Sequence, residues 1–404
     1  MKVLIVSQYF WPENFRINDL AAGLVERGHE VTVLTGQPNY PAGKFFPGYG
    51  WFKKSSKEYK GVRILRVPLL PRGNGSGLRL ALNYFSFAFS ACLLAPFLCR
   101  GKFDLIFVCQ LSPVTVGLPA LLLKKIKKVP ILFWILDLWP ESLAATGAIR
   151  SATVLAQVDK LVGFIYRGCD KIVVASTGFL PSIAAKKIAV ERTGFFPNWY
   201  EPEYREQLED DLTNHLSLPA GFRVMFAGNI GVAQDFATIL AAAEQLKFYP
   251  DIHWVILGDG RQFEWVKEQV QSRGLVETVH LLGRHPPTAM FGYFSQADTM
   301  LVTLKRDPAF ALTVPGKIQS YLACGRPIIA ALDGEGARLI AESGAGLSSP
   351  AEDANALAES VLTMYRMPKE EREAMGRRGK EYREKNFERE MLIDRLEGWM
   401  RELT

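Results

Sequence analysis

Thr313–Pro327 reads TVPGKIQSYLACGRP, and the strand-like run PIIAA, residues 327–331, completes it. The stretch reads as a short helix, a stop and a strand. Pro315 suits the first helical position, where its missing N–H costs nothing. Gly316 permits close backbone approach, and Lys317 adds a positive charge beside the free amides of the first turn. Ile318 and Leu322, four apart, give the helix a buried stripe. Gly325 ends it, and Pro327 opens the next strand. Two readings stand side by side. One is a cradle for a diphosphate. The other is an ordinary capped helix whose lysine points at water.

Working outward, the preceding residues repeat one pattern. FRVMFAG is a strand, followed by the loop and helix NIGVAQDFATILAAAEQL; HWVILGDG is the next strand, with the helix QFEWVKEQVQSRG after it. VHLLGR, TAMFGYFSQA and DTMLVTL then give strand, helix and strand. Strands alternating with helices predict a doubly wound α/β domain. Several of its strands end in glycine loops: Gly228-Asn229-Ile230-Gly231, Gly258-Asp259-Gly260 and Gly283-Arg284-His285. Glycines at successive strand ends let a flat ligand touch backbone. Three such loops before the Lys317 helix favour a nucleotide.

The first half carries the same alternation. Val3–Ser7 is a short apolar strand, and its early polar residues argue against a signal peptide. The loop Gln8–Arg16, the helix INDLAAGLVERG and the strand HEVTVLT follow. The loop lies where open α/β sheets place ligands. It has no GxGxxG, which disfavours a dinucleotide-dependent dehydrogenase. Glu13, Asn14 and Arg16 suit a polyhydroxylated or anionic ligand, against the simpler reading of a packed Trp-Pro loop. Residues 37–77 read as loop-rich. VPILFWIL ends in Asp137, giving DLWPES. A carboxylate at the end of a buried strand is placed to meet a ligand hydroxyl, with Glu141 one turn on; the alternative is a helix cap. FFPNWYEPEY breaks all periodicity. The expected fold class is therefore α/β, two Rossmann-like doubly wound domains. Residues 1–195 form the first, 196–220 a hinge and 221–385 the second, with a C-terminal helix over 386–404 that is either a solvated cap or a crossing back to the first domain.

At 404 residues, two cores are expected. The net charge of +6 divides into +14 over residues 1–200 and −8 over 201–404. A basic first half suits an anionic membrane surface, and no nucleic-acid signature is present. Five scattered cysteines without a CxxC pair suit a reducing compartment, and the spacing of the histidines supports no protein metal site. Leu80–Cys99 is twenty residues without a charge, long enough to span a bilayer. KFDLIFVCQ follows at once and reads as a strand of the same sheet as Val3–Ser7, so a span is rejected. A helix packed on the sheet remains, either wholly buried or partly facing lipid. KKIKK, residues 124–128, adds a basic knot.

RGHEVTVLT early and LACGRPII late, with DLWPES, FPNW and VPGK between them, resemble the glycosyltransferases of family four. The resemblance covers nearly the whole chain, and the branch resembled builds bacterial O-antigen and capsule repeat units. It implies the GT-B fold, two domains facing across a cleft. It also implies retaining, metal-independent sugar transfer from a nucleotide donor, without a cofactor. By that resemblance the donor binds Asn229, Ile230, Gly231, Gln234, Arg284 or His285, Val314, Pro315, Gly316, Lys317 and Ser320. The acceptor meets Glu13, Asn14, Arg16 and Glu141, and Asp137 and Lys317 are the catalytic candidates. A polyprenyl-diphosphate-linked sugar or another glycan is the implied acceptor, and the implied location is cytoplasmic, on the inner face of the plasma membrane.

The departures are specific. The family often has Arg at position 229 and Lys at 234, where this chain has Asn229 and Gln234. Its Glu-x7-Glu pair is replaced by Leu312 and Ser320. Lys317 is then the expected replacement for the lost cation, and Leu312 suits a less polar, 6-deoxy donor. An N-acetylated donor sugar also fits. A nucleotide-sugar epimerase and a non-catalytic sugar-nucleotide-binding subunit remain the rival readings.

Overall fold

Strands buried on both faces appear as continuous apolar runs, because helices cover each side of a parallel sheet. KVLIV, LIFVCQ and ILFWI are such runs here. In the computed structural model, described over residues 1–51, 57–200 and 218–404, they lie at the centre of an eight-stranded sheet. Its strands are β1 (Lys2–Val6), β2 (Glu30–Gly36), β3 (Glu58–Tyr59), β4 (Val62–Val67), β5 (Leu105–Gln110), β6 (Ile131–Ile135), β7 (Lys171–Val174) and β8 (Thr193–Phe195). The order is β3-β4-β2-β1-β5-β6-β7-β8, parallel except for the β3–β4 hairpin. β1 pairs with β2 on one side and β5 on the other, so the strand order reverses there. That reversal opens a crevice at the carboxyl ends of the strands.

The described part of 37–77 is less loop-like than the sequence suggests. VRILRV forms β4 and pairs with β2 from Thr32↔Arg63 to Gly36↔Val67. Val62, Ile64 and Val67 are buried while Arg63 is exposed. A six-residue strand with two arginines carries too weak an alternation to stand out.

The second sheet holds β9 (Phe222–Ala227), β10 (Ile252–Leu257), β11 (Val279–Gly283), β12 (Thr299–Thr303), β13 (Ile328–Ala331) and β14 (Gly346–Ser349). Its order is β11-β10-β9-β12-β13-β14, all parallel. Its reversal falls between β9 and β12. A core of Val224, Phe226, Ile239, Trp254, Ile256, Leu301 and Ile329 joins the sheet to its helices.

The chain divides into two compact units, Met1–Pro197 with Glu390–Thr404, and Asn198–Arg389. The segment assigned to a hinge, 196–220, falls largely on residues 201–217, outside the described residues. The helix Arg389–Leu403 belongs with the first unit. Glu397 accepts from His29 at 2.7 Å and from Arg27 at 3.2 Å, and Glu390 pairs with Arg27 at 2.6 Å. Trp399 lies so close over Gly194 that a Cβ there would meet its ring at 2.8 Å.

Candidate donor and acceptor sites

In the second unit the β9 loop is fixed backbone to backbone. Ile230 donates to the Asp259 carbonyl at 2.9 Å, and Gly228 to Leu257 at the same distance. A Cβ on Gly258 would lie 1.8 Å from the Gly228 oxygen, and one on Gly260 2.3 Å from that of Ile230. Neither position admits a side chain, so the first two glycine loops press together. Ile230 is fully buried and anchors the loop in the core. Asn229 is exposed and donates to Gln234 Oε1 at 3.3 Å. The Gln234 carbonyl is held by the hydroxyl of Thr303 and the Ala233 carbonyl by Lys305 N–H, both from the end of β12.

The opening stretch meets this loop from the other side of the reversal. The helix runs Lys317–Ala323, with Gly316 as N-cap, so Pro315 lies ahead of it and does not open it. Pro315 contributes its carbonyl instead, accepting from Ile318 N–H at 3.0 Å. With seven residues and that amide already used, the helix offers little as an anion cradle. The lysine carries the charge. Tyr321 ties the helix to β9, donating to the Ala227 carbonyl at 3.1 Å and accepting from its N–H at 3.0 Å. One turn earlier, Lys317 Nζ lies 3.7 Å from the centroid of the Phe226 ring. It is sealed from solvent and has no hydrogen-bond partner among the described residues. A Cβ on Gly228 would sit 3.1 Å from it. Burial lowers its pKa from the ordinary 10.5 to about 7.

Val314 and Ser320 are half-buried beside this lysine in the chain, and Ile318 and Leu322 form the buried stripe. Gly325 ends the helix with φ +64°. On the next loop Arg284 is exposed, whereas His285 is held. Its Nε2 donates to the Leu282 carbonyl at 3.1 Å, and Tyr293 OH donates to Nδ1 at 3.1 Å. That pair of bonds corresponds to the tautomer protonated at Nε2.

In the first unit the expected residues separate. Glu13 is tied into the scaffold. It is buried, and its Oε1 accepts the backbone N–H groups of Asn39 and Tyr40, both at 2.7 Å. Burial raises its carboxyl to about 7 against those two bonds. Its ionised form is thus disfavoured in the fold, and stability falls as pH rises from 4.5 through 7. Glu13→Gln keeps an acceptor for both amides and should flatten that dependence in urea titrations at pH 5 and 8. Glu13→Ala should lose about 2 kcal/mol by stranding the amides. Equal stability of the two variants would disprove this. Asn14 is exposed, and Arg16 opens the helix Arg16–Glu26.

Asp137 lies just beyond β6 and is not a helix cap; Pro140 holds that position for Glu141–Ala145. Trp139 Nε1 donates to Asp137 Oδ2 at 2.9 Å, and the Asp137 carbonyl accepts from Gln110 at 2.6 Å. Burial raises the Asp137 pKa, opposed by hydrogen bonds from Ser142, Trp139 and Ser112. Glu141 follows, its Oε2 sealed and without a hydrogen-bond partner among the described residues.

The sequence reading missed Arg72. It donates to Tyr9 OH at 3.2 Å, and its guanidinium lies 5.0 Å from the Tyr40 ring centroid and 5.9 Å from that of Tyr9. Phe15 completes the aromatic cluster, 5.1 Å from Tyr9 and 5.2 Å from Tyr40. The only signal was one arginine inside LLPRGNG, which no periodicity marks.

Two α/β units, each with its loops gathered at a strand reversal, define a class of paired-domain nucleotide-binding proteins. The pattern described as "Glycosyl transferases group 1" matches residues 215–382, and that described as "Glycosyl transferase 4-like domain" matches 14–199. The chain belongs to this glycosyltransferase family, with the GT-B fold. It is 26% identical over 340 residues to WcaI of Escherichia coli (strain K12), named as a colanic acid biosynthesis glycosyl transferase, covering 80% of this chain and 82% of that one. HepE of Anabaena, solved in complex with UDP, matches with TM-score 0.74 and 14% identity over all of both chains. Sucrose-phosphate synthase of Thermosynechococcus elongatus matches with TM-score 0.76 and 18% identity, over 99% of this chain and 98% of that one.

Proposed function

We propose that the chain is a retaining, metal-independent glycosyltransferase of bacterial surface polysaccharide synthesis, using a UDP-linked sugar. The observation that carries this is Lys317. A lysine amine sealed against Phe226 and beside Gly228, with no hydrogen-bond partner among the described residues, is a site suited to an anionic ligand. A diphosphate is such a ligand. The HepE complex with UDP and the naming of WcaI for colanic acid biosynthesis support the choice of nucleotide and pathway class.

In this reading the second unit holds the donor. Gly228, Asn229, Ile230 and Gly231 approach the phosphates, Gln234 stands behind them, Arg284 and His285 face the base, and Val314, Pro315, Gly316 and Ser320 flank Lys317. As the bond from the sugar to the diphosphate breaks, charge grows on the leaving oxygen and Lys317 stabilises it. The departing phosphate takes the acceptor proton on the same face, which gives retention. Asp137 orients the acceptor hydroxyl; Glu141, Asn14 and Arg16 meet its other groups. Arg72 in its aromatic cluster suits the anionic part of a lipid-diphosphate-linked glycan. Leu312 favours a 6-deoxy or N-acetylated donor over a fully hydroxylated one.

Thermal-shift measurements with UDP, GDP, ADP and TDP test the core of this. UDP should raise the melting temperature most. Stabilisation by none of the four would overturn it, and an epimer formed from a UDP-sugar without acceptor would replace transfer by epimerisation.

A further inference from the structure

The helix Gly77–Leu98 packs only one side against its sheet. Phe87, Ala88, Ala91 and Ala95 are buried together with Asn83. The opposite side presents Leu78, Leu82, Phe85, Phe89, Leu93 and Phe97, which are 42–73% exposed. Their spacing of three and four residues puts all six in one line. The line runs about 28 Å at 1.5 Å per residue. An unbroken apolar stripe of this length exceeds the scattered exposed apolar residues of ordinary surfaces.

The helix also has mostly cationic neighbours, and Asp159 on the helix Ala152–Gly168 is paired with Lys186. It joins β4 to β5, and the helices Gly117–Lys127 and Ala152–Gly168 carry the next crossovers in the same direction across the sheet. Right-handed crossovers in one direction share one face. Residues 77–128 hold seven lysines and arginines and one acid, Asp104. Asp104 is engaged by the backbone N–H of Lys2. Arg79, Arg100, Lys102, Lys125 and Lys128 are exposed. On the neighbouring helices Ile126 and Phe164 are 48% and 56% exposed.

We infer that this face docks on an anionic bilayer, with the Gly77–Leu98 helix lying in the plane of the interface. Apolar side chains enter the acyl boundary while the flanking cations meet headgroup phosphates. A transverse orientation is excluded by topology, since β4 and β5 belong to the same sheet. A second copy of the chain is the less suitable occupant, because two such faces would oppose like charges. The inference rests on the lipid-linked acceptor of the proposed function, and its test separates the two.

The full chain is floated with vesicles of phosphatidylcholine alone and with one-third phosphatidylglycerol, at low and physiological salt. Binding should require the anionic lipid and weaken with salt. Phe85→Glu with Phe89→Glu should cut partitioning at least tenfold, while UDP thermal shifts and turnover of a water-soluble acceptor analogue stay as in the unaltered protein. Equal flotation of the double variant would overturn the docking face. So would flotation independent of lipid charge, or a dimer in plain buffer that the substitutions dissolve. Unaltered docking with no turnover of any acceptor would instead overturn the proposed function.

Discussion

Lys317→Met should weaken UDP binding about 100-fold or more and raise the melting temperature of the unliganded protein. The two effects have one origin. Nζ is sealed beside Gly228 against the face of Phe226, with no hydrogen-bond partner among the described residues. A ring quadrupole is worth about 1–2 kcal/mol to a desolvated cation, far less than the water it replaces. Methionine keeps length and apolar contact and removes the desolvation cost. With the diphosphate bound, the same ammonium faces a charge in a dry environment, and removing one partner of such a pair costs about 3–5 kcal/mol. At 1.4 kcal/mol per decade that is a loss of at least two decades in affinity. Calorimetric titration of UDP and a melt of the free protein measure both signs. UDP affinity within threefold of the original, or a lower melting temperature, would sink the assignment.

The pH dependence follows from the same group. Its pKa is about 7 in the fold against 10.5 ordinarily. Between these values the unfolded chain holds a proton that the native state lacks, so stability rises with pH across that window. Lys317→Met should remove this slope. A bound diphosphate restores the charged form, so UDP binding near pH 8 should take up a proton. Titrations in buffers of different ionisation enthalpy report it.

The α/β order, the glycine loops and the Lys317 segment were legible in the sequence because each rests on local spacing. Apolar runs of four to seven residues gave the strands, and Gly325 and Pro327 marked the helix stop. What was not legible depended on partners distant in sequence. The scaffold role of Glu13 comes from the backbone of Asn39 and Tyr40, which no local spacing links to it. β4 needed β2 beside it to count as a strand. Arg72 acquires meaning only from Tyr9 and Tyr40, more than thirty residues away in each case. Pro315 was placed inside the helix because proline favours a first turn; the observed start at Lys317 lets its carbonyl accept from Ile318. The charge of Lys317 was readable, but its isolation was not, since Phe226 and Gly228 arrive from another strand.

Asp137→Asn should lower turnover about 100- to 10,000-fold and leave UDP affinity unchanged. The magnitude is that of losing a positioned carboxylate at a reacting hydroxyl. Structure should survive, because the amide oxygen still accepts from Trp139 Nε1, and its NH2 can donate to the hydroxyls of Ser112 and Ser142. The raised pKa of Asp137 sets the sign of the pH effect. Burial favours the protonated acid, so the form that accepts the acceptor proton's hydrogen bond is lost on the acid side, at higher pH than for an exposed aspartate. Trp139→Phe deletes one donor to the ionised form and should move that acid limb further up, with the maximal rate changed little. A merely structural Asp137 would predict the opposite pattern: Asp137→Asn would melt lower yet turn over normally once folded. Turnover above half the original with intact UDP binding would therefore return Asp137 to the scaffold and leave Glu141, with its sealed Oε2, as the carboxylate to test next.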